Sequence, residues 1–204
     1  MSRVVIVSGG LGSPSTTRLL ADQVEAGLLR ADASASVEIV ELRPLAHEVV
    51  DATLTGFAPP RLQHVIDSVG AADAIVLVTP VLQASYSGLF KSFVDALEPD
   101  ALVGKPVLLG ATGGTARHSL MIELAMRPLV AYLQAVAVPT GIFASPHDWG
   151  AEGKDALAAR VDRAVAELFS LLGGGGSGRS RDDDIDLFSD TMLSISRPPA
   201  PPAD

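Results

Sequence analysis

Cysteine is missing from all 204 residues, which removes disulfide frameworks, thiolate zinc sites and thiol nucleophiles together. Aromatic side chains are scarce at 4%, with one Trp and two Tyr, so a ligand clamped between protein rings has few partners. Long apolar runs are also absent. No stretch approaches the roughly 20 residues of a membrane span, and the four apolar residues after Arg3 are too few for a secretory signal. Positive charge is in short supply: 15 Lys and Arg face 24 Asp and Glu, a formal net charge of −9. A nucleic-acid binder would need a basic footprint instead. The expectation is a cytoplasmic chain that engages neither nucleic acid nor membrane. His47, His64, His118 and His147 fall at no ligand spacing, so no metal site is expected.

What is present divides the chain. Residues 1–172 read as one domain and 173–204 as a tail. The tail runs from Gly173-Gly174-Gly175-Gly176 through Asp182-Asp183-Asp184 to Pro198-Pro199-Ala200-Pro201-Pro202. Such composition buries too little apolar surface to order itself. Its one apolar patch, Ile185 to Ile195, suits either a short docking helix or a solvated segment.

Within the domain, short β-branched runs alternate with helical periodicity. Strands are expected at 4–7, 37–40, 74–78, 106–109 and 136–143, the last broken by Pro139. Helices are expected at 16–29, 62–69, 88–97, 119–134 and around Leu157, Val161, Val165, Leu168 and Leu172. This alternation implies βαβ crossovers and a parallel sheet covered on both faces. Five such units match a flavodoxin-like α/β sheet of order 2-1-3-4-5, whose ligands sit beyond the carboxyl ends near the switch between strands 1 and 3.

Three loops at that end carry the candidate chemistry. The first, Ser8 to Arg18, has glycines at 9, 10 and 12 and hydroxyls at Ser13, Ser15, Thr16 and Thr17 just where a helix begins. Unpaired N–H groups, the helix dipole and those hydroxyls suit a phosphate dianion, and Arg18 can add a charge-assisted contact. Ordinary N-capping is the blander reading. Gly10-Leu11-Gly12-Ser13-Pro14-Ser15 also approaches G-x-G-x-x-G, with Glu41 as a ribose acid, but serine replaces the third glycine that helix–strand packing needs. The second loop, Thr79 to Gly88, exposes amides along small or apolar residues, a good edge for a flat heterocycle. The third, Ala111 to Ser119, places Thr112, Gly113 and Gly114 in a tight turn followed by Arg117 and His118. Those two are anion or hydrogen-bond candidates, or a solvated arginine and a helix-start histidine.

These loops resemble those of the NAD(P)H-dependent FMN reductase family. The likeness is strongest to the branch that supplies reduced flavin to two-component, luciferase-like monooxygenases. It is carried by Thr79-Pro80-Val81, the run Ala84 to Phe93, Gly104-Lys105-Pro106-Val107, Ala111 to Thr115 with His118, and Arg127-Pro128-Leu129, in one order over residues 3–170. The resemblance implies that FMN and NAD(P)H are the cofactors. Ser13, Ser15, Thr16 and Thr17, with Gly10 and Arg18, would hold the FMN phosphate. Pro80, Val81, Leu82, Gln83, Ala84 and Ser85 would run beside the isoalloxazine, and Thr112, Gly113 and Gly114 would meet its pyrimidine end. Leu82-Gln83 stands where relatives often carry Tyr-Lys, and Leu124 where some carry an aromatic. Hydride transfer between stacked rings needs no protein nucleophile, so no catalytic residue is named. A homodimer or homotetramer is implied as well. A quinone or azo reductase that retains FMN and a flavodoxin-type electron carrier are the alternatives.

Overall fold

Strict alternation decides which face each strand residue covers. In the computed structural model, which describes residues 1–173, strand β1 (Arg3–Ser8) is buried along nearly its whole length. Val4 and Ile6 join one apolar layer and Val5 and Val7 the other, as the two-residue period of a pleated strand requires. The other parallel strands are β2 (Ser36–Glu41), β3 (Ala74–Leu82) and β5 (Pro106–Thr112). The last position is shared by β6 (Val136–Ala137) and β7 (Ile142–Ala144). The order β2-β1-β3-β5-β6, with β7 also on β5, is the flavodoxin-like 2-1-3-4-5 arrangement. The fifth strand is split between β6 and β7 across Pro139, which has no N–H for a ladder. A further two-residue strand, β4 (Ser85–Tyr86), pairs antiparallel with the end of β3.

Helices α1 (Thr16–Ala31) and α6 (Lys154–Gly173) cover the Val4/Ile6 face. Helices α2 (Ala46–Thr55), α3 (Pro60–Ala71), α4 (Gly88–Asp95) and α5 (Arg127–Tyr132) cover the other. The two layers keep α1 and α6 in close contact. A Cβ on Gly27 would lie 2.9 Å from Val161 Cγ1, so a larger residue there would wedge the pair apart.

Three segments depart from the sequence expectation. Helix α2 was not anticipated: it buries only Val49 and Ala52 while Val50 and Leu54 stay exposed, so its apolar period is faint. The helix expected over 119–134 begins with a 3₁₀ turn (Ala116–His118), widens to a π-helical turn (Ile122–Met126) and becomes α5 only at Arg127. The Arg127 N–H bonds Ile122 O, five residues back, and the following Pro128 has no N–H to continue an α-helical ladder. The Arg127 side chain donates to Val138 O at 2.8 Å and to Pro139 O, fastening α5 to the interrupted strand. The third departure is β4, which turns the expected loop after β3 into a hairpin. The tail assignment and the Ile185–Ile195 patch lie outside the described residues.

Candidate active site

The carboxyl ends of β1, β3 and β5 bring the three sequence loops to one edge of the sheet, and buried hydroxyls brace them against each other. Gly9 N donates to Val78 O at 2.7 Å, tying the first loop to β3. The fully buried Ser87 donates from Oγ to Gly9 O at 3.1 Å and accepts from Phe90 N at 3.2 Å, so one hydroxyl caps α4 and holds the first loop. Thr79 Oγ1 accepts from Ser87 N at 3.0 Å. Between the first turn of α1 and the end of β5, Thr17 Oγ1 and Thr112 Oγ1 share a buried 2.9 Å hydrogen bond. Buried polar groups persist where each is satisfied, and here that satisfaction fixes the spacing of the loops.

In the first loop the candidate residues take different positions. Ser15 is the N-cap of α1, its Oγ accepting from Arg18 N at 3.2 Å, which leaves its hydroxyl proton available. Ser13 and Thr16 are exposed. Thr17 is turned inward onto Thr112. Gly10 lets the loop close on α1, since a Cβ there would meet Ser15 Oγ at 2.3 Å and Thr17 Cβ at 3.1 Å and would displace the Ser15 hydroxyl. Arg18 lies on the β2 side, with Nε on Asp22 and Nη1 on Glu41, both at 2.7 Å. The Asp22 hydrogen bond foremost, with the charges of Asp22 and Glu41, raises its pKa against the opposing effect of burial.

The β3–β4 hairpin carries the strain. Val81 pairs with Tyr86 and Leu82 with Ser85, leaving Gln83 and Ala84 as central turn residues with φ of 49° and 64°. Two positive φ values are the signature of a type I′ turn, which ordinarily takes Asn or Gly. An L-residue held there costs about 1–2 kcal/mol, and such strain gathers at ligand clamps. Ala84→Gly is therefore expected to raise unfolding stability. The relief exceeds the roughly 0.5–1 kcal/mol of added unfolded-state entropy, so the net gain is about 0.5–1 kcal/mol by urea titration. No gain would mean that the turn is relaxed. Tyr86 packs on Phe90, ring centroids 5.7 Å apart, and is the one aromatic of the hairpin.

In the third loop Gly113 N donates to Ala144 O at 3.0 Å, and a Cβ on Gly113 would strike Phe143 Cζ at 2.8 Å. Gly114 faces open space. Arg117 and His118 are exposed in the 3₁₀ turn capped by Thr115, and neither side chain has a hydrogen bond or ion pair among the described residues. Beside this loop the turn Pro146–Trp149 is closed by a capping box in which Asp148 accepts from Ser145 N at 2.9 Å and Ser145 Oγ at 2.7 Å. Burial pushes the Asp148 carboxyl up, but the Ser145 bonds and Arg160, 3.6 Å away, together hold it below the ordinary value. A depressed folded pKa adds stability that is present above the unfolded carboxylate pKa of about 4 and is lost as pH falls through the lower folded value. The urea midpoint of Asp148→Asn should thus fall less than that of the wild type between pH 5 and pH 2.5. Equal slopes would refute the assignment.

Sequence reasoning missed Ser87, Thr79 and the hairpin strain, because each depends on a partner brought by the fold. Among the described residues no group of metal-ligating side chains occurs, and no helix is long and apolar enough to cross a membrane.

Fold and site together define a flavodoxin-like α/β protein whose three braced loops lie beyond the carboxyl ends of the strands at the β1–β3 switch point, where sheets of this kind bind ligands. The comparisons agree and are more specific. The family model for NADPH-dependent FMN reductase matches residues 2–150. The chain is 36% identical to an FMN reductase (NADPH) of Pseudomonas aeruginosa, over 84% of this chain and 93% of that protein. It is also 36% identical to the NADH-dependent FMN reductase SfnE of Pseudomonas putida, over 83% and 92%. An oxidoreductase of Corynebacterium diphtheriae of known structure superposes with a TM-score of 0.81 at 39% identity, covering 85% of this chain and 98% of that one. The chain belongs to the NADPH-dependent FMN reductase family. It is an oxidoreductase that uses NAD(P)H and FMN.

Proposed function

We propose that the loop after β1 anchors FMN by its phosphate. Ser13, Ser15 and Thr16 donate hydroxyls there, Gly10 admits the backbone, and Thr17 and Arg18 hold the loop from behind. Pro80, Val81, Leu82, Gln83, Ala84 and Ser85 run beside the isoalloxazine. Thr112, Gly113 and Gly114 meet its pyrimidine edge, with Arg117 and His118 at the mouth. The observation that carries this reading is the bracing of all three loops by Ser87, Thr79 and the Thr17–Thr112 pair, which presets one site from three strand ends. The loop suits the group: it combines donors, a helix N-terminus and a glycine whose Cβ position is already occupied.

When bound, the flavin supplies the hydride-accepting ring. The protein orients it, keeps water from one of its faces and donates hydrogen bonds at its polar edge. With Tyr86 the single aromatic of the hairpin, the grip on the ring is light, which suits a flavin that leaves as FMNH2 for a luciferase-like monooxygenase in the cytoplasm. Exposed Leu120 and Leu124, at 62% and 74%, lie beside and on the π turn that packs against β4, and Tyr132, at 86%, ends α5; these apolar groups support a homodimer or homotetramer. The test is oxidation of NADH and of NADPH by purified protein with FMN and riboflavin, beside dialysis and light scattering. FMN-dependent turnover, colourless protein after dialysis and an oligomeric mass are expected. Flavin retained through dialysis would favour the quinone-reductase or carrier readings, and a monomer would sink the assembly.

A further inference from the structure

An acidic chain carries a basic patch at the mouth of its candidate site. Arg117 and His118 in the third loop, His147 in the turn after β7 and Lys154 at the start of α6 are all exposed. None of these side chains has a hydrogen bond or ion pair among the described residues, whereas Arg18, Arg30, Arg61 and Arg127 each meet a carboxylate. The four cationic or protonatable groups adjoin because their backbones are tied together. Gly113 N donates to Ala144 O at 3.0 Å, joining the third loop to β7, and Lys154 N donates to Gly150 O at 3.1 Å, joining the turn to α6. Cations left without partners beside one another attract an anion from elsewhere.

We infer that the chain supplies such an anion itself: the acidic run Asp182-Asp183-Asp184 docks on this patch and competes there with the phosphates of NAD(P)H. The inference rests on the placement of Arg117 and His118 at the mouth of the flavin site and adds a regulatory contact to it. Length and charge carry it. Helix α6 begins at the mouth and runs 20 residues to Gly173, which at 1.5 Å per residue ends about 30 Å away. Residues 174–182 reach up to about 30 Å when extended, at 3.3–3.6 Å each. The sequence therefore returns to the mouth at the position where its acids begin, with Asp186 and Asp190 following. The family fold is complete without this segment. A solved relative matches over 98% of its own length but 85% of this chain, leaving a share as long as 174–204. A tether this short holds its ligand at a local concentration on the order of millimolar, enough for a weak ion-pair contact to compete with a soluble nucleotide.

The absence of cysteine makes the test clean, because one introduced thiol is unique in the full chain. A nitroxide on Ser180→Cys is expected to broaden the imidazole NMR signals of His118 and His147. Those of His47 on α2 and His64 on α3 should stay sharp. Asp182→Asn/Asp183→Asn/Asp184→Asn in the labelled chain should restore the first pair. In steady-state assays with FMN, the same triple change without the label should lower the KM for NADH and NADPH about two- to fivefold at low salt, the scale of one or two exposed ion pairs. kcat should not change, and the two proteins should converge in 0.5 M salt, where such pairs are screened. Equal broadening of all four histidines, or of none, would overturn the docking. So would broadening found only when nitroxide-labelled chains are mixed with unmodified, isotope-labelled ones, which would place the run on a second copy. Selective broadening with an unchanged KM would overturn the competition and, with it, the placement of Arg117 and His118 on the donor's path, while leaving the FMN phosphate loop untouched.

Discussion

Replacing Ser15 and Thr16 together by alanine is expected to cut the preference for FMN over riboflavin by about a hundredfold or more. Hydrogen bonds to a charged group are worth about 1.5–3 kcal/mol each, and about 1.4 kcal/mol is a factor of ten. Both hydroxyls sit at the mouth of α1, Ser15 with its proton free while its oxygen caps Arg18 N and Thr16 exposed. The change removes donors that only a phosphate would use, so riboflavin serves as the internal reference. Competition titrations of the two flavins give the ratio directly, and an unchanged ratio would remove the phosphate from this loop. Loss of the cap lowers stability by about 1 kcal/mol, too little to unfold the domain and equal for both ligands.

Gly153→Ala is expected to cost about 3 kcal/mol of stability, as overpacking against unyielding neighbours does. The residue is buried ahead of α6, and a Cβ there would lie 2.3 Å from His147 O and 2.7 Å from Asp148 Cα. Both are backbone atoms, and the capping box at Ser145 and Asp148 holds them in place. A flexible side chain could step aside; this turn cannot. Urea or thermal unfolding measures the loss, and a variant within 0.5 kcal/mol of wild type would mean that the turn slides freely over the helix.

Architecture was legible in the sequence wherever burial imposes a period. Val4 to Val7 and Ala74 to Val78 read as strands because both of their faces are covered, and Leu157, Val161, Val165 and Leu168 read as a helix because one face packs on the sheet. The 2-1-3-4-5 order followed from counting crossovers. Helix α2 was hidden because its burial rests on two residues. The 119–134 segment was read as uniform because apolar spacing cannot separate a π turn from an α turn. At the site, the loop hydroxyls and glycines were visible as types, while their division of labour was not. Thr16 and Thr17 are adjacent and chemically identical, yet one faces solvent and the other faces Thr112. Only the fold supplies the partner that tells them apart.

That threonine pair also governs how the sequence can drift. Losing either hydroxyl alone strands the other in an apolar setting, whereas exchanging both for valine leaves a matched contact of nearly the same shape. Viable descendants are therefore separated from this chain by a two-step path through a weakened intermediate. Positions 17 and 112 should be varied jointly in any library built to retune the enzyme.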